Sequence, residues 1–331
     1  MLKRGVLYNG LSYIWRNTVL KFYRGHAEKK REQYWMERKE CFGKENPDQI
    51  FYVIRRRDCY CGLFSLFLTH LQRIDTAIKA GYIPVIDMQN DFNIYLTGDK
   101  VGKENAWEYF FRQPCGYSLE NIKKSRNIII GSGAVPEMFP YLNIDFLYGR
   151  TGELEYWRKI VKKYMKLSDF AKREVEKEYC KLFSDVGEGK VLGVKCRGTD
   201  YANGKPKNHP IQPTPEQALV KAEEIFKEQH CTKIFLATED AVFYQLFSDK
   251  FGDALVTNKT VYAEYHGGST GREEYERGGA YANGMEYLIT TMLLTKCDCL
   301  CAGCVSGTVA ALLLKEGEYE YTYLFDLGLY E

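Results

Sequence analysis

Arg197, Thr199 and Asp200 stand together in the stretch "CRGTDY", which follows the apolar run Val191–Val194 after Lys195. A core strand that ends in a guanidinium, a hydroxyl and a carboxylate either turns into solvent or delivers those groups to a ligand. Two more polar clusters end apolar runs in the same way. Thr238, Glu239 and Asp240 follow "KIFLA", and Ser306, Gly307 and Thr308 follow "CDCLCAG" with "CV" between. Ligands of open parallel sheets bind in the crevice beyond the carboxyl ends of the strands, so clusters placed alike point to one site. A guanidinium clamps phosphate oxygens bidentately. A strand-to-helix turn carrying two hydroxyls offers an anion its amide donors and the helix dipole. The chemistry suits a diphosphate, and if a reaction cleaves there, Arg197 stabilises the charge that develops on the leaving group.

Each group also has a plainer reading. Ser306 is a good N-cap for its own helix, as is Asp240. Asp200, Glu239 and Asp240 either accept from base or sugar hydroxyls or hold Arg197 in place. Their separation resembles no paired-metal motif, so no metal is expected. His209, before Pro210 in a loop, is a base near neutral pH or a structural ring. Residues 262–284, rich in Gly and Tyr and carrying Arg272 and Arg277, read as a binding loop or a surface loop.

The elements that must position these groups alternate between strand and helix. In the second half "VLGVK", "KIFLAT", "ALVT" and "CDCLCAG" read as strands, and Thr214, Pro215 and Gln217 form a capping box that opens a helix. "AVFYQLFSDKFG", "MEYLITTMLLTK" and "SGTVAALLLKEG" read as helices, which makes a doubly wound α/β unit. In the first half "FYVIRRR", "YIPVIDM" and "NIIIGSG" read as strands around a helix over 63–80 that Gly81 closes. Gly62 marks the turn before that helix, as a tight bend or as a phosphate contact. The charged stretch 151–183 is a helical connection, with a boundary at "SDVGEGK". The division expected is therefore 1–185 and 186–331.

With 331 residues, 45% hydrophobic and 27% charged, the chain is globular and long enough for two cores. A net charge of only +2 gives no global case for nucleic acid, so an anionic ligand must be held locally. Its 26 tyrosines and 18 phenylalanines suit sugar handling and ordinary cores alike. Eleven cysteines without framework spacing read as reduced thiols in a cytosol. Cys297, Cys299, Cys301 and Cys304 suggest zinc, but alternation on a strand puts the first three on one face as packing thiols. Residues 1–25 mix Lys3, Arg4, Arg16, Lys21 and Arg24 with Trp15, Leu20 and Phe22. They lack the continuous apolar core of a signal peptide or membrane span. They suit the surface of an anionic membrane, or a helix packed on the protein's own body.

The segments "GVKCRGTD", "HPIQ", "LATED", "GREEYERGGAYANG" and "LLTKCDCLCAGCVSGT", in this order, resemble a fucosyltransferase superfamily. It includes the N-glycan core α1,6 enzymes, the rhizobial nodulation enzymes and, more distantly, the protein O-fucosyltransferases. The resemblance covers about residues 190–315, and the first half shares only the strand–Gly turn–helix pattern of "RRRDCYCGLFSLFLTHLQR". It implies a GT-B fold, two facing Rossmann-like domains with parallel sheets and a cleft between them. It also implies GDP-fucose as donor on the C-terminal domain, a glycan acceptor on the N-terminal one, and inverting, metal-independent transfer; the basic residues 1–25 suggest that the acceptor is a membrane-borne, lipid-linked glycan. Arg197 matches the family arginine on the β-phosphate, Glu239 and Asp240 the acidic pair near the nucleotide, and Ser306 to Thr308 the diphosphate turn. Thr199 and His209 fall at donor-binding positions, and Asp200 beside Arg197 is a second candidate catalytic residue.

The chain departs from the family pattern at several places. Lys195 stands for the family histidine and Gly198 for its second arginine. Lys205 falls where the core enzymes carry a glutamate, and Thr290 falls at the late-helix aspartate, with Glu286 one turn earlier. The base on the acceptor is left among Asp200, His209 and Glu286. Transfer of another sugar or a pyruvyl group on a similar scaffold, or nucleotide-sugar binding without catalysis, are the other readings of the same pocket.

Overall fold

The computed structural model describes residues 20–57, 60–135, 143–184, 186–198, 203–259, 262 and 280–331. Helix α1 (Leu20–Trp35) leads into a short strand β1 (Arg38–Glu40). Strand β2 (Phe51–Ile54), helix α2 (Leu63–Lys79) and strand β3 (Ile83–Ile86) form a βαβ unit, and β4 (Ile128–Ile130) joins it. The sheet order is β1-β4-β2-β3; β2 runs parallel to both neighbours and β1 antiparallel to β4. All residues of β2 are buried, as expected of a parallel strand covered on both faces. "RRR" lies beyond it rather than in it, because the strand stops at Ile54. The charged stretch 151–183 is two helices, α3 (Glu153–Tyr164) and α4 (Asp169–Phe183), the second capped by Ser168.

The second sheet is wholly parallel, in the order β7-β6-β5-β8-β9. Its elements run β5 (Lys190–Lys195), α5 (Pro215–Glu228), β6 (Cys231–Ala237), α6 (Ala241–Phe251), β7 (Leu255–Val256), α7 (Tyr281–Leu294), β8 (Cys299–Gly303), α8 (Ser306–Leu314) and β9 (Tyr321–Phe325). The Thr214–Gln217 capping box opens α5 with Pro215 in its first turn, and Asp240 caps α6 through the amides of Val242 and Phe243. Gly252 ends α6 at φ 49°, a left-handed backbone that favours glycine. The chain winds outward from β5 through β6 to β7, then crosses to β8 on the other side of β5. That reversal places a topological switch point, the usual ligand crevice of open sheets, at the carboxyl ends of β5 and β8.

Besides an apolar cluster of its own, around Val53 and Val85 in the first and Leu192 and Ile234 in the second, each sheet contributes to a shared core. One apolar cluster runs from Ile54, Phe64 and Phe67 of the first half through Leu288 and Leu294 of α7 to Val309 and Leu312 of α8. Phe64 meets Tyr287 edge to face at 4.9 Å between ring centres. Gly284 lets α7 approach, since a Cβ there would lie 2.7 Å from the ring of Tyr95. Arg158 of α3 also donates to the Leu312 carbonyl at 2.9 Å.

Three expectations need correction. Ser306 is the first residue of α8 and not its cap; Val305 caps it, without a side-chain bond. Only Cys299 and Cys301 share a strand face; Cys297 precedes β8 and packs in the cluster that joins the halves, against Gly193. Gly62 makes no tight turn. It is the N-cap of α2 in extended backbone, φ −64° and ψ 159°, with open space where a Cβ would stand.

Candidate functional site

The switch point gathers most of the polar residues singled out in the sequence. Lys195, the last residue of β5, is 3% exposed. Its Nζ donates to the Ala237 carbonyl at 3.3 Å, lies 4.0 Å from Glu239 Oε2 and sits 5.2 Å from the ring centre of Tyr287. Burial lowers its pKa, and the Glu239 carboxylate acts against that shift. Arg197, two residues on, approaches the other oxygen of the same carboxylate, Nε to Glu239 Oε1 at 3.8 Å. One carboxylate at the end of β6 thus stands between two cations at the end of β5. Cys196, between those cations in sequence, is fully buried, and burial pushes its thiol up to about 12, so it is inert there.

Gly198 is where the chain beyond β5 closes on the Asp240 side chain. A Cβ at that position would lie 2.1 Å from Asp240 Oδ2. Asp240 is fixed by its capping bonds to Val242 (2.8 Å) and Phe243 (3.3 Å), and its own amide donates to the hydroxyl of Thr238 at 3.3 Å. Thr238 is buried. The pair therefore splits in role: Glu239 faces the cations, while Asp240 and Thr238 shape the strand-to-helix turn.

Across the switch point, α8 begins without a side-chain cap, so its first amides are presented to the crevice. Ser306 is the partly exposed residue of that turn. Thr308 is fully buried and donates to the Gly303 carbonyl at 2.6 Å, so its hydroxyl ties helix to strand and does not face a ligand. Gly307 has room for no side chain, since a Cβ would lie 2.2 Å from the hydroxyl of Tyr287. The Gly307 backbone therefore lies directly against that hydroxyl. Tyr287 is pushed up to about 12 by burial, with Arg197 pulling its pKa down and Glu239 pushing it up. Its ring also meets Phe64, two residues after Gly62, so the starts of α2 and α8 converge on one tyrosine.

Glu286 does not join this group, because it is ion-paired with Lys259 beyond the end of β7. Next to it, Thr290 exchanges hydrogen bonds with Asn258. His209 is half-buried in its loop, and burial followed by the charge of Arg197 lowers its pKa. Thr199, Asp200 and most of the Gly/Tyr-rich loop lie outside the described residues. Among the described residues, no three His, Cys, Asp or Glu side chains are grouped to hold a metal ion. No described helix is long and apolar enough to cross a membrane.

Sequence reasoning missed Tyr287, Asn258 and Lys259. The last two carried a usable signal, for "VTNK" ends a strand with polar groups as the other clusters do. Tyr287 carried none, since a tyrosine amid "MEYLITTMLL" reads as core.

No family model and no curated protein sequence matches this chain. Among solved structures it is similar to a NodZ α-1,6-fucosyltransferase soaked with GDP-fucose, at 17% identity over 80% of this chain and 93% of that one, with a TM-score of 0.47. It is also similar to POFUT1 in complex with GDP, at 10% identity over 84% and 99%, TM-score 0.48. A third is a variant of Arabidopsis thaliana FUT1 in complex with GDP, at 10% identity over 80% and 68%, TM-score 0.45. At such identities and TM-scores, what this chain does has to be read from its own residues.

Proposed function

We propose that the chain is a GT-B glycosyltransferase that moves fucose from GDP-fucose to a glycan, with the diphosphate seated where β5 and β8 diverge. The observation that carries this reading is the convergence of Arg197 and Lys195 on Glu239, across from the uncapped start of α8. Cations and amide donors aimed at one place favour phosphate oxygens over a neutral ligand. Residues 186–331 hold the donor, with Ser306 and the amides of Gly307 and Thr308 on the diphosphate, and residues 1–185 receive the acceptor. Thr199 and Asp200 border Arg197 in sequence and complete the donor side.

In the reaction, the acceptor hydroxyl attacks the anomeric carbon from the face opposite the diphosphate, which inverts that centre. The bond from carbon to the β-phosphate oxygen breaks, and its electron pair leaves with the GDP. Arg197 stabilises that charge, a task these side chains can perform without a metal ion. His209, held neutral at pH 7 by burial and by Arg197, accepts the acceptor's proton. The acceptor is a glycan, membrane-borne if the basic segment 1–25 lies on the inner face of a membrane, and the enzyme works in the cytosol.

The test is GDP release from GDP-fucose by the purified chain in the presence of a chelator, with other nucleotide sugars in parallel. We expect release from GDP-fucose that falls by roughly 10²–10³ in Arg197→Ala, the scale of losing a donor to developing charge. Release from a uridine or cytidine sugar alone would discard fucose, and release from none of them would overturn the enzymatic reading.

A further inference from the structure

We propose that Tyr287 is a further donor-binding residue of this site, its hydroxyl donating to the bound diphosphate. This rests on the diphosphate reading above and adds to it a residue that no strand-end motif contains. At Gly198, a long side chain next to Arg197 would have to pass through the Asp240 carboxylate that caps α6. Position 198 can therefore supply no donor, and the nearest hydroxyl on another element is that of Tyr287 on α7.

Three contacts hold the Tyr287 ring. Phe64 meets it edge to face at 4.9 Å, Lys195 Nζ lies 5.2 Å from its centre, and Gly307 leaves just enough space for its hydroxyl. The phenol oxygen lies against Gly307 in the first turn of α8, beside the amides proposed for the diphosphate. Its proton can be donated to an anion held there, as a hydrogen bond to a charged group. The proton stays on the oxygen at neutral pH, because burial holds the phenol far from ionising.

The test compares wild type with Tyr287→Phe, which keeps the ring, the Phe64 contact and the face under Lys195. Calorimetric titration would use GDP, GMP and inorganic pyrophosphate as probes. The expected result is an unchanged melting temperature without ligand and roughly tenfold or greater weakening toward GDP and pyrophosphate, the scale of a hydrogen bond to a charged group. GMP, which lacks the β-phosphate, should lose less. GDP bound by the variant as tightly as by wild type, or more tightly, would overturn the proposal; the latter would mean that the hydroxyl competes with phosphate for the Gly307 amide. If wild type binds pyrophosphate but no guanine nucleotide, the GDP-fucose reading fails and the pyrophosphate comparison still decides on Tyr287. If it binds none of the three, both fall.

Discussion

Gly198→Ala perturbs the site through a single methyl group. The added Cβ would stand 2.1 Å from Asp240 Oδ2, 2.6 Å from its Cγ and 2.8 Å from its Cβ, distances that no real contact keeps. Asp240 must therefore leave its place, and with it go the capping bonds to the amides of Val242 and Phe243. Loss of an aspartate cap costs about 1 kcal/mol, with a range of roughly 0.5–2 kcal/mol. Loss of a carboxylate from the start of a helix adds about 0.3–1 kcal/mol through the dipole. We expect Gly198→Ala to destabilise the protein by about 1–3 kcal/mol. Asp240→Gly removes both the carboxylate and its Cβ, and glycine is itself a tolerable cap. In that background the same methyl meets nothing, so the double variant should be more stable than the two single losses predict by about 1 kcal/mol or more. Urea unfolding of the four proteins measures that coupling. Losses that add to within about 0.5 kcal/mol, the ordinary tolerance for independent sites, would refute the claim that Asp240 is what excludes a side chain from position 198. Because Asp240 adjoins Glu239, Gly198→Ala should also loosen the hold of that carboxylate on Arg197 and weaken GDP binding.

Two further outcomes follow from side chains turned into the fold. His70 is fully buried against Trp107, with Nε2 lacking a hydrogen-bond partner, and burial near Arg56 and Arg73 drops its pKa to about 3. The unfolded chain binds a proton below about pH 6.5 that the folded chain refuses, so its contribution is complete at neutral pH and lost as pH falls toward 3. Between pH 7 and pH 5 this amounts to about 2 kcal/mol, and urea unfolding of His70→Leu should show an acid slope shallower by that amount; equal slopes would contradict it. Thr308→Val should cost about 1–2 kcal/mol by stranding the Gly303 carbonyl, yet leave GDP affinity unchanged, since the Thr308 hydroxyl is turned into the fold. A loss of affinity without loss of stability would put that hydroxyl back in the binding site.

Much of the second sheet was legible in the sequence because its punctuation is local. The Thr214–Gln217 box, the Asp240 cap and Gly252 each act within one turn, and each stands where its residue type predicts. The strand β9 and the antiparallel β1 were not legible. "YTYLF" is only partly buried and follows a turn at Gly317, and "RKE" is polar throughout, so neither carries an apolar signal. At the site, residue type was a guide to location but not to orientation. Arg197 and Glu239 face one another as their chemistry suggests. Thr308, of the same polar character, is turned inward by the geometry of a buried strand–helix junction, which no spacing rule records. Glu286 was drawn away by Lys259, a partner distant in sequence. Tyr287 became functional only through a contact between halves, and such contacts are tertiary facts.

Whether Arg197 holds a guanosine diphosphate at the end of β5 is decided by the melting temperatures of wild type and Arg197→Ala with GDP, without added metal. At a hundred times its dissociation constant, GDP should stabilise the wild type by about 2.7 kcal/mol, and the variant should melt at the same temperature with or without it. An equal shift in both proteins, or none in the wild type, would contradict the claim.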